Sequence, residues 1–432
     1  MLAPSTQVNC GEGSPETSLL PADLSRIAET ALSDVPHDSR VLAIIPDKTR
    51  DDNTHILFPI VARSLQAKGV KLDALVAQGT HGPMSTDEKL EKIGAASLDD
   101  LPNLVSIYDH HWDDPDELVR IGELSASQVE QLTGGLFKES IELKLNRLVA
   151  SDAYDGILIL GATVPHEVAG FSGGAKYFFP GVAGAELTHK THWLAALATI
   201  ENIIGRVETP TRHMIEAAAD QIDKRVIAFT SVVSRNAADD LVTHGLFAGD
   251  HRWSLRQAAE VSRKVHIKFT GRQYSRVIAI LDEHYEDLWV GGKASYRLGS
   301  VIEEGGELII YAPKLRCISE THGSDIEKFG GYAPIENIKD LVASSGELQS
   351  NLCVAAHLAH VSYAGRTDET GQFVPKYRIK LASQVDPESC RRVNLEYLDY
   401  QTFDPASFAD DPDTLIVERA GRDLYLVKPD NR

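Results

Sequence analysis

Four histidines lie directly after predicted strands or within glycine-containing loops, where a side chain can reach a ligand. They are His81 in QGTHGPMS, His110 and His111 in YDHHWDD, and His166 in VPHEVAG. Imidazole titrates near neutral pH and serves as a general acid, a general base or a metal ligand. A single loop histidine is more often solvated or structurally bonded, but several at strand ends favour a shared site.

The segment GFSGGAK, from Gly170 to Lys176, combines three glycines with a hydroxyl group and a lysine. Glycine lets backbone N–H groups approach an anion closely, and lysine adds a point charge. Ser172, Gly173 and Gly174 are therefore candidate phosphate contacts. The spacing differs from the GxxxxGK[ST] phosphate loop, and a loop that packs a strand against a helix is an equally good interpretation.

Two charged segments also follow predicted strands. PDKTRDDN places Asp47 and Arg50 three residues apart, so that Arg50 can clamp a carboxylate or phosphate; an ordinary ion pair between the two is the alternative. In YDHHWDD, the two histidines with Asp113 and Asp114 offer imidazole and carboxylate ligands to a divalent metal. The acidic run that ends at Glu117 also suits the start of a solvated helix.

These side chains need elements that bring strand ends together. Short apolar runs alternate with helical patterns, which predicts α/β structure with parallel sheets and ligands at the carboxyl ends of the strands. The predicted strands are VLAIIP (41–46), LDALVA (72–77), LVSIYD (104–109), GILILG (156–161), RVIAIL (276–281) and ELIIYA (307–312). The predicted helices cover 16–35, 56–67, a stretch from Ser85 with a capping box to Glu88, 140–150 and 294–304. The segment TLIVERAGRDLYLVKP predicts a hairpin turning near Ala420.

Composition narrows the class of protein. The chain has 432 residues and a net charge of −20, which predicts two or three domains and disfavours a nucleic-acid partner, since a negative surface repels phosphates. Four cysteines without a CxxC pair indicate neither a disulfide framework nor a thiolate zinc site. The amino end lacks a basic segment followed by an apolar run, and no run of about 18 apolar residues occurs. We expect a cytoplasmic protein without a membrane span that acts on a small molecule.

Four segments together resemble the lactate racemase family, enzymes that use a nickel-pincer nucleotide. They are PDKTRDD, QGTHGPMSTDEKLEKIG, PHEVAGFSGGAKYFFPG and KTHW, and the block PHxxAGFSGGxKxxxPG is specific. The resemblance implies two α/β domains with mostly parallel sheets and the active site in the cleft between them. We expect an N-terminal cofactor-binding domain over 1–268, completed by the C-terminal segment 395–432, and a second α/β domain over 272–392.

The resemblance also implies a cofactor and its protein contacts. The nickel-pincer nucleotide is a nicotinate-derived mononucleotide that holds nickel through two sulfur arms and a carbon. Lys176 would join it covalently as a thioamide, and His192, 26 residues beyond His166, would complete the nickel coordination. The further cofactor contacts implied are Asp47, Gly170, Ser172, Gly173 and Gly174.

The implied reaction is inversion of the C2 centre of a 2-hydroxy acid. His81 and His166 would serve as acid and base on the hydroxyl group, while the C2 hydrogen leaves as hydride and returns to the opposite face. Two bases are needed because the two enantiomers present the hydroxyl group from opposite sides. Arg50 and Lys293 would bind the substrate carboxylate.

Two positions depart from the family pattern. Lys48 replaces the histidine of the family's Asp-His-Thr-Arg turn, and Trp289-Val290 stands where the family has Tyr-Gln. Replacing two hydrogen-bonding side chains by apolar ones changes which substrates a site accepts. We therefore expect Trp289 to contact a substrate other than lactate, such as a sugar acid, although it can equally be core at a helix start.

Two other functions stay open at this point. One is a hydride-transferring oxidoreductase that releases the 2-keto acid. The other is a non-catalytic protein that binds or stores the nucleotide, with proteins of cofactor biosynthesis as candidate partners. The presence of both His81 and His166 favours catalysis, because holding a cofactor requires Lys176 and His192 but no acid/base pair.

Overall fold

A computed structural model describes residues 7–370 and 372–429. The chain forms two compact units. The first comprises the described residues up to Thr191 together with Val207–Val265, and the second comprises His192–Arg206 together with the described residues from His266 onward.

The strands are numbered in chain order. In the first unit they are β1 (Cys10–Gly13), β2 (Arg40–Pro46), β3 (Lys71–Ala77), β4 (Leu104–Tyr108), β5 (Leu118–Leu124), β6 (Ile141–Asn146), β7 (Gly156–Ala162), β8 (Pro165–His166), β9 (Gly170–Phe171), β10 (Arg225–Arg235) and β11 (Leu241–Gly249). In the second unit they are β12 (Ile267–Phe269), β13 (Tyr274–Ile280), β14 (Ile302–Ala312), β15 (Gly365–Thr367), β16 (Phe373–Pro375), β17 (Arg378–Ser383), β18 (Glu396–Asp399), β19 (Thr414–Glu418) and β20 (Leu424–Leu426).

The α-helices follow the same order. They are α1 (Pro21–Ala31), α2 (Thr54–Gln66), α3 (Thr86–Ile93), α4 (Ala126–Leu132), α5 (Arg147–Ala150), α6 (Ala185–Ala198), α7 (Ile200–Ile203), α8 (Pro210–Ala219), α9 (His251–His266), α10 (Leu288–Gly291), α11 (Lys293–Leu298), α12 (Gly323–Lys328), α13 (Ile335–Ser344), α14 (Gly346–Ser350), α15 (Leu352–Val361) and α16 (Pro387–Arg392). Short 3₁₀ helices cover Leu98–Asp100, Gly174–Tyr177, Gly299–Val301 and Pro405–Phe408.

The first unit is built on a seven-stranded sheet of order β1-β11-β10-β7-β2-β3-β4. The five strands from β10 to β4 run parallel; β11 pairs antiparallel with β10, and β1 pairs antiparallel with β11. Strands β2, β3 and β7 are apolar and buried along nearly their whole length, as expected for parallel strands that are covered on both faces. The predicted α/β class with mostly parallel sheets is confirmed.

Local capping signals also behave as predicted. The Ser85 hydroxyl accepts the backbone N–H of Glu88 at 3.3 Å, and the Glu88 carboxylate accepts the backbone N–H of Ser85 at 2.8 Å. This reciprocal pair begins α3 at Thr86, because it satisfies backbone donors that the first turn leaves without partners.

The second unit holds a parallel five-stranded sheet of order β18-β17-β14-β13-β19. Both β18 and β19 come from the C-terminal segment 395–432, so the expectation that this segment completes the N-terminal domain is wrong. The predicted hairpin is also wrong, because β19 pairs with β13 whereas β20 pairs with β12. Residues 192–206, placed within 1–268 from the sequence, belong to the second unit.

The predicted helix over 140–150 is largely a strand. Residues Ile141–Asn146 form β6 and pair antiparallel with β5, and only Arg147–Ala150 are helical. The predicted helix over 294–304 ends at Leu298, and β14 starts at Ile302. Within 7–370 and 372–429, no helix combines the length and the apolar character needed to cross a membrane.

Candidate active site

The candidate site lies at the carboxyl ends of three neighbouring strands. Strands β7, β2 and β3 are adjacent and parallel, so the segments that follow them leave the sheet at the same edge. Asp47 follows β2, His81 follows β3, and the loop with His166 and Lys176 follows β7. The backbone N–H of Gly79 donates to the carbonyl of Gly181 at 2.9 Å, which joins the His81 loop to the turn beyond Lys176.

Asp47 and His81 form a close hydrogen-bonded pair. The Oδ2 atom of Asp47 lies 2.6 Å from Nδ1 of His81, and Oδ1 accepts from the hydroxyl group of Thr49 at 2.6 Å. Burial opposes ionisation of Asp47, but the hydrogen bond from His81 and the charge of Arg50 outweigh it and hold the pKa of Asp47 well below its usual range. An ionised carboxylate only accepts, so Nδ1 of His81 carries a proton, and in the neutral ring Nε2 presents a lone pair.

His166 has the opposite arrangement of its ring nitrogens. The backbone N–H of Val168 donates to Nδ1 of His166 at 3.0 Å. Since Nδ1 accepts this bond, the neutral ring carries its proton on Nε2. In their neutral forms, His81 thus offers a hydrogen-bond acceptor at Nε2, and His166 offers a hydrogen-bond donor at Nε2.

Arg50 is exposed, and toward the residues that the structure describes it donates its backbone N–H alone, to the carbonyl of Asp47 at 3.3 Å. Its positive charge acts on Asp47 and on Lys176 through space. Among the residues that the structure describes, no salt bridge joins Arg50 to Asp47, so the simple ion pair considered from the sequence is not formed. The guanidinium group faces solvent and can bind an anionic group.

The glycine-rich loop uses several of its groups for its own folding. The Ser172 hydroxyl accepts the backbone N–H of Val164 at 2.9 Å and donates to the carbonyl of Ala162 at 3.1 Å. Gly173 and Gly174 have φ angles of +94° and +59°, and a Cβ at either would meet Leu255 of α9 at 3.4 or 3.3 Å. The left-handed backbone, together with close packing against a helix, therefore accounts for these two glycines. Their proposed contact with the cofactor, and that of Ser172, stays a prediction.

Lys176 lies in the 3₁₀ turn Gly174–Tyr177 and is partly buried. Burial lowers the pKa of Lys176 to about 7, and the charges of Arg50 and Arg212 act in the same direction. The opposing charges of Glu167 and Asp47 are too weak to restore an ordinary value. A lysine in this state is half neutral near pH 7, so its amine can act as a nucleophile.

The alternative metal site in YDHHWDD is not supported by the geometry. His110 is buried, with Nε2 3.0 Å from the carbonyl of Ala183 and Nδ1 3.3 Å from the amide nitrogen of Asn146. Both ring nitrogens are therefore engaged, and burial lowers the pKa of His110. His111 lies 3.1 Å from the carboxylate of Glu117. Over residues 7–370 and 372–429, no group of three His, Cys, Asp or Glu side chains is arranged to hold a metal ion.

Comparison with known proteins identifies the family. Residues 16–203 match the family model for the lactate racemase N-terminal domain. A segment of 154 residues is 32% identical to the lactate racemase of Lactiplantibacillus plantarum, covering 35% of this chain and 32% of that protein. Residues 16–203 therefore form a domain of the lactate racemase family. The curated relative is thus matched over about a third of its own length.

Two solved structures resemble the whole chain. A crystal structure of a protein from Thermotoga maritima has a TM-score of 0.86 at 30% identity, covering 96% of this chain and 100% of that one. The lactate racemase apoprotein of Thermoanaerobacterium thermosaccharolyticum has a TM-score of 0.71 at 16% identity, covering 97% and 94%. The second similarity shows a shared fold.

The remaining residues implied by the family lie elsewhere in the chain. His192 is partly buried in α6, and the division between the two units falls directly before it. In the second unit, Lys293 begins α11 and is partly buried. The Trp289 indole contacts the rings of His322 and His357, with centroid distances of 4.5 and 4.3 Å. Trp289 is therefore both part of a helix start and a partly exposed ring held in a fixed orientation.

Gln78 is one structural residue that the lactate racemase motifs did not reveal. Its buried side chain donates to the carbonyl of Gly82 at 2.8 Å and accepts the backbone N–H of His110 at 2.7 Å. These bonds close the loop that carries His81. The only sequence signal is a polar residue directly after a buried strand.

Arg212, in α8, is the second residue that the sequence motifs did not reveal. It is fully buried and donates to three carbonyls of the glycine-rich loop. The signal in the sequence was an arginine on the same helical face as Ile215 and Ala219, which are apolar and buried.

Proposed function

We propose that this protein is a racemase or epimerase that inverts the C2 centre of a 2-hydroxy acid with a nickel-pincer nucleotide. The observation that carries the proposal is the pair of imidazoles with complementary tautomers: His81 accepts at Nε2, and His166 donates at Nε2. Conversion of an alcohol to a carbonyl and back requires the hydroxyl proton to be removed and then returned, which is the work of one base and one acid.

Asp47 supports the base. It fixes the tautomer of His81 and stabilises the imidazolium that forms when Nε2 takes the hydroxyl proton. His166 would return a proton from Nε2 to the oxygen of the inverted product, and for this it must first be protonated at Nδ1, because a neutral imidazole does not give up its last proton; the bond from the Val168 N–H then opens. A His166 ring that holds its proton on Nδ1 has a lone pair at Nε2, so the two imidazoles can exchange roles for the other enantiomer.

The substrate carboxylate is proposed to bind to the exposed guanidinium group of Arg50. Arginine forms paired, charge-assisted hydrogen bonds to a carboxylate. Within the second unit, Lys293 is proposed as a further carboxylate contact and Trp289 as a contact for the substrate chain. Because the indole is rigid and largely apolar, we expect better turnover of a longer 2-hydroxy acid than of lactate.

The residues present fit the proposed cofactor. The partly neutral amine of Lys176 suits a covalent bond to an acyl-type carbon, and imidazole, offered by His192, is a good nickel ligand. Asp47 and the loop from Gly170 to Gly174 are the further proposed contacts. When bound, the cofactor supplies a hydride acceptor, while the chain's own residues orient the substrate and move the hydroxyl proton.

Intact mass and peptide mapping test the cofactor half of the proposal. Protein isolated from a host that makes the cofactor should carry a nucleotide-sized adduct on the peptide that contains Lys176, together with nickel. Lys176→Arg should lose the adduct, and His192→Ala should lose the nickel while His111→Ala keeps it. An unmodified Lys176 peptide in fully active enzyme would refute covalent attachment.

Turnover in D₂O tests the reaction. The cofactor-loaded enzyme is given single enantiomers of lactate and of longer 2-hydroxy acids, and the products are separated on a chiral column. Hydride return predicts inverted product almost free of deuterium at C2. Extensive C2 deuterium would refute the hydride route, accumulation of 2-keto acid would favour the oxidoreductase, and no turnover of any of these acids by cofactor-loaded enzyme would favour a binding or storage protein.

A further inference from the structure

Arg212 holds the backbone of the loop that carries Lys176. Its Nη1 donates to the carbonyl of Gly173 at 3.2 Å, and its Nη2 donates to the carbonyls of Ala169 (3.3 Å) and Phe171. These three carbonyls lie at alternate positions along the segment 169–173. One guanidinium group thereby fixes the bend that leads into the turn of Lys176.

The geometry around Arg212 requires an arginine. The planar guanidinium group directs several N–H donors in fixed directions, which a single ammonium group cannot reproduce. Arg212 enters α8 in its first turn, where the Thr209 hydroxyl accepts its backbone N–H at 3.0 Å. The capped helix end and the buried helix face thus set the direction from which the side chain reaches the loop.

The charge of Arg212 is not cancelled by a direct partner. Among the described residues, Arg212 forms no salt bridge; the nearby carboxylate of Glu216 pairs instead with Arg252, at 3.0 Å. Burial lowers the pKa of Arg212 to about 10, so the group is still protonated at neutral pH. Its positive charge, like that of Arg50, therefore acts on the amine of Lys176.

We propose that Arg212 is a positioning residue for Lys176: it fixes the loop backbone from which the lysine extends and adds a fixed positive charge that keeps the amine reactive. The use of that reactivity for cofactor attachment rests on the proposed function. The positioning of Lys176 by Arg212 is independent of the proposed function and can be measured in protein made without cofactor. The charged groups that act on the Lys176 amine are Arg50, Glu167, Arg212 and Asp47.

Two measurements on the full-length apoprotein test the proposal. Hydrogen exchange of the peptide covering 169–176 reports how strongly the loop backbone is restrained. Acetylation by an N-hydroxysuccinimide ester across pH 5–10 reports the titration of Lys176. For the wild type, we expect a labelling midpoint at about pH 7. Arg212→Met should raise that midpoint by about 0.5 to 1 pH unit, a three- to tenfold loss of free amine at pH 6, and should speed loop exchange about tenfold.

Arg212→Lys separates the two parts of the proposal. It keeps the positive charge but cannot form all three hydrogen bonds to the loop carbonyls. Hydrogen exchange of the loop should therefore become faster, while the labelling midpoint of Lys176 stays closer to the wild-type value than in Arg212→Met. The matched control is Arg26→Gln, which removes an exposed arginine that pairs with Glu12. It should change neither measurement, and exposed Lys71 serves as the internal standard for labelling.

The outcomes distinguish positioning from a general role in folding. If Arg212→Met folds and leaves both the exchange and the midpoint unchanged, the proposal is overturned. If Arg212→Met does not fold, Arg212→Lys decides: faster exchange confined to 169–176 supports the proposal, and unchanged exchange there overturns it. Failure of the racemase proposal would leave these apoprotein results as they are, because neither measurement requires cofactor or substrate.

Discussion

The loops that follow two neighbouring strands, β3 and β4, each contain a histidine, and the two side chains have different roles. His81, after β3, is 43% exposed in its side chain, and among the described residues its partner is the carboxylate of Asp47, at Nδ1. His110, after β4, is 2% exposed and uses both ring nitrogens on buried protein groups. A position after a parallel strand is therefore not enough for acid/base chemistry, because a ring nitrogen must also be left for the substrate.

The largest expected effect tests this comparison directly. His81→Ala and His166→Ala should each reduce racemisation by about 10²- to 10⁴-fold, the usual contribution of general acid/base catalysis. His110→Ala should retain activity within about threefold when corrected for folded protein, because its nitrogens serve only the structure. Initial rates from both enantiomers are the measurement. A loss in His110→Ala as large as that in His81→Ala would contradict the distinction.

A smaller loss is expected when the partner of His81 is changed. Asp47→Asn keeps the size of the side chain but offers an amide donor, which favours the wrong tautomer of His81 and removes the charge that stabilises its imidazolium. We expect kcat to fall by about 10²- to 10³-fold with a smaller change in KM. A rise in KM with kcat unchanged would assign Asp47 to binding rather than to support of the base.

The buried lysine predicts a pH-dependent change in stability. The pKa of Lys176 lies below that of an unfolded lysine, so between about pH 7 and 10 the unfolded state binds more protons and the free energy of unfolding rises with pH. Lys176→Met should therefore stabilise the apoprotein at pH 6, by about 2 to 4 kcal/mol, and have much less effect at pH 10. Urea unfolding at the two pH values is the measurement, and equal effects at both would contradict the shifted pKa.

The smallest effect concerns the structural histidine. His110→Ala should lower the free energy of unfolding by about 1 to 2 kcal/mol, since the carbonyl of Ala183 and the amide of Asn146 lose a buried partner. His111→Ala, on the exposed neighbour, is the matched control and should cost less than about 0.5 kcal/mol. If the two variants were equally stable, the bonds of His110 would contribute nothing to the fold.

The candidate site was predicted from the sequence as a set of residues, but not as an arrangement. Asp47, His81 and His166 follow apolar runs that predict parallel strands, and those strands are present. Lys176 is indicated by the glycine-rich segment that contains it and by the family resemblance. The Asp47–His81 bond joins residues 34 positions apart, and no local pattern reports such a bond. The roles of these residues in catalysis and cofactor binding stay predictions.

The prediction of secondary structure from the sequence was wrong where local preference and long-range strand pairing disagreed. IELKLN falls within the helix predicted over 140–150, yet alternate residues such as Ile141 and Leu143 are buried, and the segment pairs with β5. Likewise, TLIVE and LYL resemble the arms of one hairpin, but each pairs with a different, distant strand. A strand needs a partner to be stable, and the partner is chosen by the whole fold.

The sequence by itself determined the buried parallel strands and the capped start of α3, because these depend on apolar runs and on groups a few residues apart. Tertiary structure alone decided which histidine keeps a ring nitrogen for chemistry and how Lys176 is held. His110 loses its nitrogens to Ala183 and Asn146, which lie 73 and 36 residues away, and Arg212 reaches carbonyls 39 to 43 residues away. Burial and hydrogen bonding between distant segments set these properties, and both exist only once the chain has folded.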